Sequence, residues 1–340
     1  MLMEQSRCVD SKIIDELKEK RLKFLLDYQK EKDIFIGVRD NALSVFINCG
    51  EIITFKLKNN EIYYEINDRD YLRFNGKGKK EKLSSDELNN LRKNEKNITY
   101  KGVLNNETVD DVKSFIEMIY PYVKKYNEGS EKEIQQKILI ESNKHNKDIV
   151  VLDTEVNFKG ISNSETGRVD ALAYDFINHI IYLIEVKRGT AAYGKGTISK
   201  NNKYGSGIVG HFYKYAKIIK NMRESIISHT NSIISFNNEV YGCKYEGVNN
   251  DANIQMVLYL YDGKLNSFKN HLGISEKGNA ELNVKKAMTN EEYKKYVTPD
   301  FEYNLLFVEP NNKDKYDLAK LLPNKVKVLE VKKCHTSPEN

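Results

Sequence analysis

Apolar residues recur at helical spacing over positions 11–30, where Ile13, Ile14, Leu17, Leu22, Leu25 and Leu26 predict an amphipathic helix. The stretch that follows, IFIGVRDNALSVFINCGEIITFKLKNNEIYYEI, is rich in β-branched and aromatic residues. It is interrupted at Asp40-Asn41, Cys49-Gly50 and Asn59-Asn60, which predicts short strands in a small antiparallel sheet. A polar, Lys/Asn-rich stretch at 75–98 separates this sheet from a helix expected over 108–125. The segment Tyr126-Asn127-Glu128-Gly129-Ser130 marks a boundary, and beyond it the pattern becomes helix, three strands, helix, strand. The expected spans are a helix at 131–144, strands at 149–158, 169–175 and 180–187, a helix at 207–222 and a strand at 253–261. Strands at 301–308 and 326–331 flank a helix at 313–321, and no internal repeat is visible. Helices beside a mixed sheet make an α/β sandwich. The chain is therefore expected to be α+β overall, with an N-terminal α+β domain over 1–125 and a second domain over 126–335.

Composition narrows the function classes. With 40% hydrophobic and 30% charged residues the chain can bury a core and stay in water. No apolar run approaches the roughly 18–20 residues of a membrane helix, and Met1 to Asp10 lack the apolar region of a secretory signal. A cytoplasmic protein without a membrane partner is expected. Cys8, Cys49, Cys243 and Cys334 are scattered, with no CxxC, so neither a zinc ribbon nor a disulfide framework is expected. The net charge of +5 is mild, and local clusters carry more meaning. One cluster runs from Arg73 to Lys80; another begins at Lys187-Arg188 and continues with Lys195, Lys200 and Lys203.

Chemistry concentrates in RVDALAYDFINHIIYLIEVKRG, residues 168–189. Two apolar runs separated by a few residues read as a hairpin. Side chains alternate faces along a strand, so Glu185 and Lys187 share a face with Leu183 and Ile181. A two-residue turn at Ile177-Asn178 sets Asp170 opposite Glu185; a turn at Asn178-His179 sets it opposite Lys187. Either register gathers two carboxylates and an ammonium at one end of an apolar hairpin. Burying like charges is costly unless something compensates. A divalent cation would do so, and oxygen ligands suit Mg²⁺ or Mn²⁺. Lys187 would orient or help deprotonate an attacking water.

Two flanking features extend the constellation. Ser130-Glu131-Lys132-Glu133 opens the preceding helix as a capping box, which explains Glu133 as the residue returning to the Ser130 amide. Glu131 falls within about 20° of Ile138 and about 60° of Ile134 on the helical wheel. It is either a ligand reaching the metal through water or a favourable helix-dipole charge. After the hairpin, His211 and Tyr215 lie i, i+4 on one helix face, positioned to contact substrate phosphate or, alternatively, serving as ordinary core or surface residues. The intervening RGTAAYGKGTISKNNKYGSG offers Arg188, Tyr193 and Lys195 for phosphate and base contacts.

Together these residues resemble the PD-(D/E)XK nuclease superfamily, whose pattern is a helix glutamate, an Asp, Glu-x-Lys on the next strand and often a Gln-x-x-x-Tyr helix. Here the corresponding residues are Glu131, Asp170, Glu185-Val186-Lys187 and His211 to Tyr215, with His211 in place of the glutamine and Val169 in place of a proline. The resemblance covers residues 130–262 and implies a restriction endonuclease-like αβββαβ core with a C-terminal extension. It implies Mg²⁺- or Mn²⁺-dependent phosphodiester hydrolysis, with Asp170, Glu185 and Glu131 as ligands and Lys187 catalytic. It also implies a nucleic-acid partner, DNA foremost, in restriction, phage defence or repair, with a homo-oligomer or a separate partner subunit. The competing readings are a nucleic-acid-binding or assembly module that retains the fold without turnover, and a phosphohydrolase acting on small nucleotides.

Overall fold

The computed structural model describes residues 9–39, 41–67, 101–145, 147–159, 166–188, 208–262, 264, 266, 303–309 and 314–331. Among these residues the chain is α+β, with six α-helices and two separate sheets. It divides into two compact units, one made of 1–140 and 228–247, the other of 141–227 and 248–340.

In the first unit, α1 (Ser11–Glu19) and α2 (Phe24–Lys32) replace the single helix expected over 11–30. The cause is visible in the spacing: Leu17 and Leu22 are five residues apart, which an unbroken 3.6-residue period cannot keep on one face. The chain breaks at Lys20 to Lys23, and both leucines are fully buried. Strands β1 (Phe35–Arg39), β2 (Ala42–Ile47), β3 (Gly50–Lys58), β4 (Glu61–Ile66) and β5 (Lys101–Val103) form an antiparallel meander in chain order. Asn48 and Cys49 (φ 47° and 55°) and Asn59 and Asn60 (φ 51° and 65°) make its tight turns. Paired positive φ values match the strand twist in two-residue hairpins. The first of these turns lies one residue before the expected Cys49-Gly50, so Gly50 opens β3. Helix α3 (Asn106–Asn127) starts at an Asn105–Thr108 capping box. It buries Val112, Phe115, Ile116, Ile119 and Val123, the i, i+3, i+4 stripe of a core-facing helix.

Helix α4 (Glu131–His145) leads toward the second sheet, built from β6 (Ile149–Lys159), β7 (Thr166–Asp175), β8 (Ile180–Lys187), β9 (Asn253–Leu260), β10 (Tyr303–Val308) and β11 (Val326–Val331). Its strand order is β11-β10-β9-β8-β7-β6. Strands β6 to β8 are antiparallel, β8, β9 and β10 run parallel, and β11 returns antiparallel. Helix α5 (Ile208–Tyr241) connects β8 to β9, so the order from α4 to β9 is helix, three strands, helix, strand. Ile181 to Val186 of β8 are all buried, the mark of a central strand covered on both faces. The helix expected to end at 222 instead continues to Tyr241 through a kink where Met222 takes φ −129° and ψ 22°. Just past the kink, Arg223 donates to the carbonyls of Asn250 and Ala252 before β9. The helix expected over 313–321 is confined to α6 (Leu318–Leu321), with a 3₁₀ turn at Leu322–Asn324. Among the described residues no helix is long and apolar enough to cross a membrane.

Candidate active site

The β7–β8 hairpin pairs Asp175 with Ile180 and Ala171 with Ile184. Continued by one residue, this register sets Asp170 level with Glu185, the first of the two alternatives. The loop between the strands has four residues, 176–179, with His179 in the left-handed region (φ 53°). Asp175 closes it, accepting from the Ile177 and Asn178 amides at 3.0 and 2.8 Å and from the Asn178 side chain at 2.9 Å. That buried aspartate is consumed by the turn.

Asp170, at the other end of β7, is arranged differently. Its Oδ2 accepts from the Val186 amide at 2.9 Å, which clips β7 to β8 just beyond their last paired residues. Lys187 Nζ lies 3.6 Å from the same oxygen and 2.6 Å from Glu185 Oε1. It also donates to the Val186 carbonyl at 3.2 Å. His211 Nδ1 approaches Glu185 Oε1 at 2.6 Å from α5. Two basic groups therefore converge on one carboxylate oxygen of a side chain that is only 1% exposed. Neither Oε1 nor the His211 nitrogen has an aligned hydrogen bond, so these are close contacts of imperfect direction. The other oxygen, Oε2, is satisfied: the Tyr215 hydroxyl donates to it while accepting from the Asp170 amide at 3.3 Å.

Electrostatics follow from this geometry. Burial alone would push the Glu185 carboxyl up. The His211 ring and the Lys187 ammonium outweigh burial and hold it well below its ordinary range, so it stays ionised. Burial, reinforced by the charges of Glu185 and Asp170, drives the Tyr215 phenol well above its ordinary value. Tyr215 thus remains a neutral donor to a fixed anion. It is expected from sequence among the nucleic-acid contacts, yet it is buried (1% exposed) and holds Glu185 in place.

The other expected residues sort by position. Glu131 is the first residue of α4 and belongs to the first unit, whereas Asp170, Glu185 and Lys187 belong to the second. Glu133 closes its capping motif on the Gly129 amide at 2.5 Å and not on that of Ser130, whose amide donates to Asn127. Arg188 is half exposed and lies 3.5 Å from Asp262. Tyr193 and Lys195, Lys200 and Lys203, and the cluster from Arg73 to Lys80 lie outside the described residues. One neighbour was missed from sequence. Glu155 of β6 falls between the pairs Thr154–Ala171 and Val156–Val169, level with Asp170, in the left-handed region (φ 55°). It pairs with Arg168.

Among the described residues no group of three or more His, Cys, Asp or Glu side chains is arranged to hold a metal ion. The oxygen set at hand is Glu185 Oε1, without an aligned donor, the Asp170 carboxylate and the Val186 carbonyl. Hard oxygens of this kind fit Mg²⁺ or Mn²⁺, which fill their remaining positions with water. Comparisons with protein-family models, curated proteins and solved structures find no match to this chain.

Proposed function

We propose that this chain is a metal-dependent nuclease of the PD-(D/E)XK type that hydrolyses phosphodiester bonds in nucleic acid, DNA foremost. The observation that carries the reading is the convergence of Asp170, Glu185 and Lys187 at the carboxyl end of β8, with Glu185 ionised though buried. Asp170, Glu185 Oε1 and the Val186 carbonyl would hold Mg²⁺ or Mn²⁺. When bound, such a cation acidifies a water and polarises a phosphoryl oxygen. The protein's own groups do the rest. Tyr215 fixes the Glu185 rotamer, and the Val186 amide fixes Asp170. Lys187 brings an ammonium to where negative charge builds on the phosphoryl oxygens. Water oxygen joins phosphorus as the sugar–oxygen bond to phosphorus breaks, and the departing oxygen takes up a proton.

One observation favours a second reading. Lys187 and His211 both stand 2.6 Å from Glu185 Oε1, so groups of the protein itself already crowd that oxygen. That supports a nucleic-acid-binding module without turnover. The deciding measurement is cleavage of linear, nicked, branched and single-stranded DNA and of RNA by the purified full chain with Mg²⁺, Mn²⁺ or EDTA. Metal-dependent cutting that falls on the order of 10³-fold per folded molecule in Lys187→Ala is expected. No cutting of any substrate, or cutting that survives both EDTA and Lys187→Ala, sinks the nuclease reading.

A further inference from the structure

Strands β8, β9 and β10 run parallel, so their carboxyl ends lie at one end of the sheet. Lys187 is in register with Leu260, and the Tyr261 amide donates to the Lys187 carbonyl at 2.9 Å. Arg188 and Asp262 therefore emerge beside each other directly past the candidate active site. In sheets with parallel strands, ligands collect outside such carboxyl ends. Arg188 Nε lies 3.5 Å from Asp262 Oδ2, and Lys315 Nζ lies 3.1 Å from Oδ1. We infer that Arg188 and Lys315, gathered on Asp262, form a phosphate-binding subsite for the nucleic-acid backbone next to the cleaved bond. The inference rests on the nuclease reading and adds residues that the Asp170–Glu185–Lys187 constellation does not include.

Lys315 is held in place to a degree unusual for a surface lysine. Its ammonium sits 3.6 Å from the centroid of the Tyr261 ring. Its backbone carbonyl accepts from the Tyr259 hydroxyl. The adjacent Tyr316 packs its ring 5.4 Å from that of Tyr261, and their hydroxyls meet at 2.5 Å. A lysine chain normally gives up rotamer freedom when it binds; here most of that ordering is already present in the folded protein, which favours binding by preorganisation. Arg188 contributes the planar fork that matches phosphate oxygens. The trio of Arg188, Lys315 and Asp262 carries one net positive charge. Both pairs are partly exposed, with side chains between 33% and 50% accessible. Exposed pairs of this kind add little stability, so a phosphate exchanges for Asp262 at small cost.

The test is fluorescence anisotropy of a labelled DNA duplex with the full chain in EDTA over a salt series. The Arg188→Gln/Lys315→Gln double variant binds about tenfold more weakly near 0.1 M salt, and its log affinity–log salt slope is shallower by about 1 to 2. Asp262→Asn, which releases both cations, binds more tightly than wild type. It decides the matter should the double variant fail its melting control. Unchanged affinity and slope in the double variant, or weaker binding by Asp262→Asn, overturns the subsite while wild-type cleavage leaves the nuclease reading standing. A wild-type chain that binds no nucleic acid overturns both.

Discussion

Two buried glutamates, one in each unit, meet burial in opposite ways. Glu16 of α1 is 4% exposed and fully engaged by one partner. Arg21 reaches it through its backbone amide at 3.2 Å, Nε at 2.8 Å and a terminal nitrogen at 2.7 Å, and sends its other nitrogen to the Leu104 carbonyl. Glu185 is still more buried, yet its Oε1 is crowded by Lys187 and His211 without an aligned hydrogen bond. Both carboxyls are held below their ordinary range, Glu16 by hydrogen bonds from Arg21 and Glu185 by His211 and Lys187, which together overcome burial. A buried carboxylate with both oxygens hydrogen-bonded locks a helix break. One with a misaligned oxygen keeps capacity for a ligand. The same residue type is well hydrogen-bonded in one unit and imperfectly bonded in the other, and the difference lies in the direction of the contacts.

The largest effect that sharpens this contrast is on stability. Arg21→Ala strands the Glu16 carboxylate inside the first unit and is expected to cost about 3 kcal/mol, read from the urea midpoint. Metal-dependent cleavage per folded molecule should be unchanged, because Arg21 and the β7–β8 hairpin belong to different units. Equal loss of specific activity and stability would break the comparison. Tyr215→Phe comes next. It removes the donor to Glu185 Oε2 and the acceptor of the Asp170 amide, both buried, and should cost about 2 kcal/mol. Cleavage should fall as well, since Glu185 is no longer fixed; a variant as active as wild type would show that Tyr215 fills space alone.

The smallest effect is a pH dependence. The folded Glu16 carboxyl titrates below its ordinary value of 4.5 because Arg21 bonds its charged form. A depressed carboxyl contributes stability that is complete above the unfolded value and is lost as pH falls through the folded one. Between about pH 6 and about pH 3 the urea midpoint of the wild-type chain should therefore drop more steeply than that of Glu16→Gln. Parallel curves would mean that the Arg21 bonds persist in the unfolded ensemble.

Much of the second unit was legible because its signals are local. The bounds of β8 and β11 match the expected strands, since apolar runs ending at Asn-His and at charged residues mark their own limits. The alternation that put Glu185 and Lys187 on one face is a property of any strand. The break in the first helix was also present in the spacing, as a five-residue step between Leu17 and Leu22. Other features were not legible. Met222 carries no mark of the kink, and the carbonyls that accept from Arg223 just past it lie some 30 residues later in the chain.

The sequence alone determined the order of elements from α4 to β9, the face shared by Glu185 and Lys187, and the presence of Asp170 on the neighbouring strand. Period and spacing act over a few residues, so they can be read along the chain. Only the tertiary structure decided which register the hairpin takes, that the Tyr215 hydroxyl turns inward to Glu185, and that Lys315 meets Arg188 across Asp262. The last two outcomes depend on contacts between residues 30 to 74 positions apart. They are settled by how the sheet packs and by which buried polar atoms find a partner.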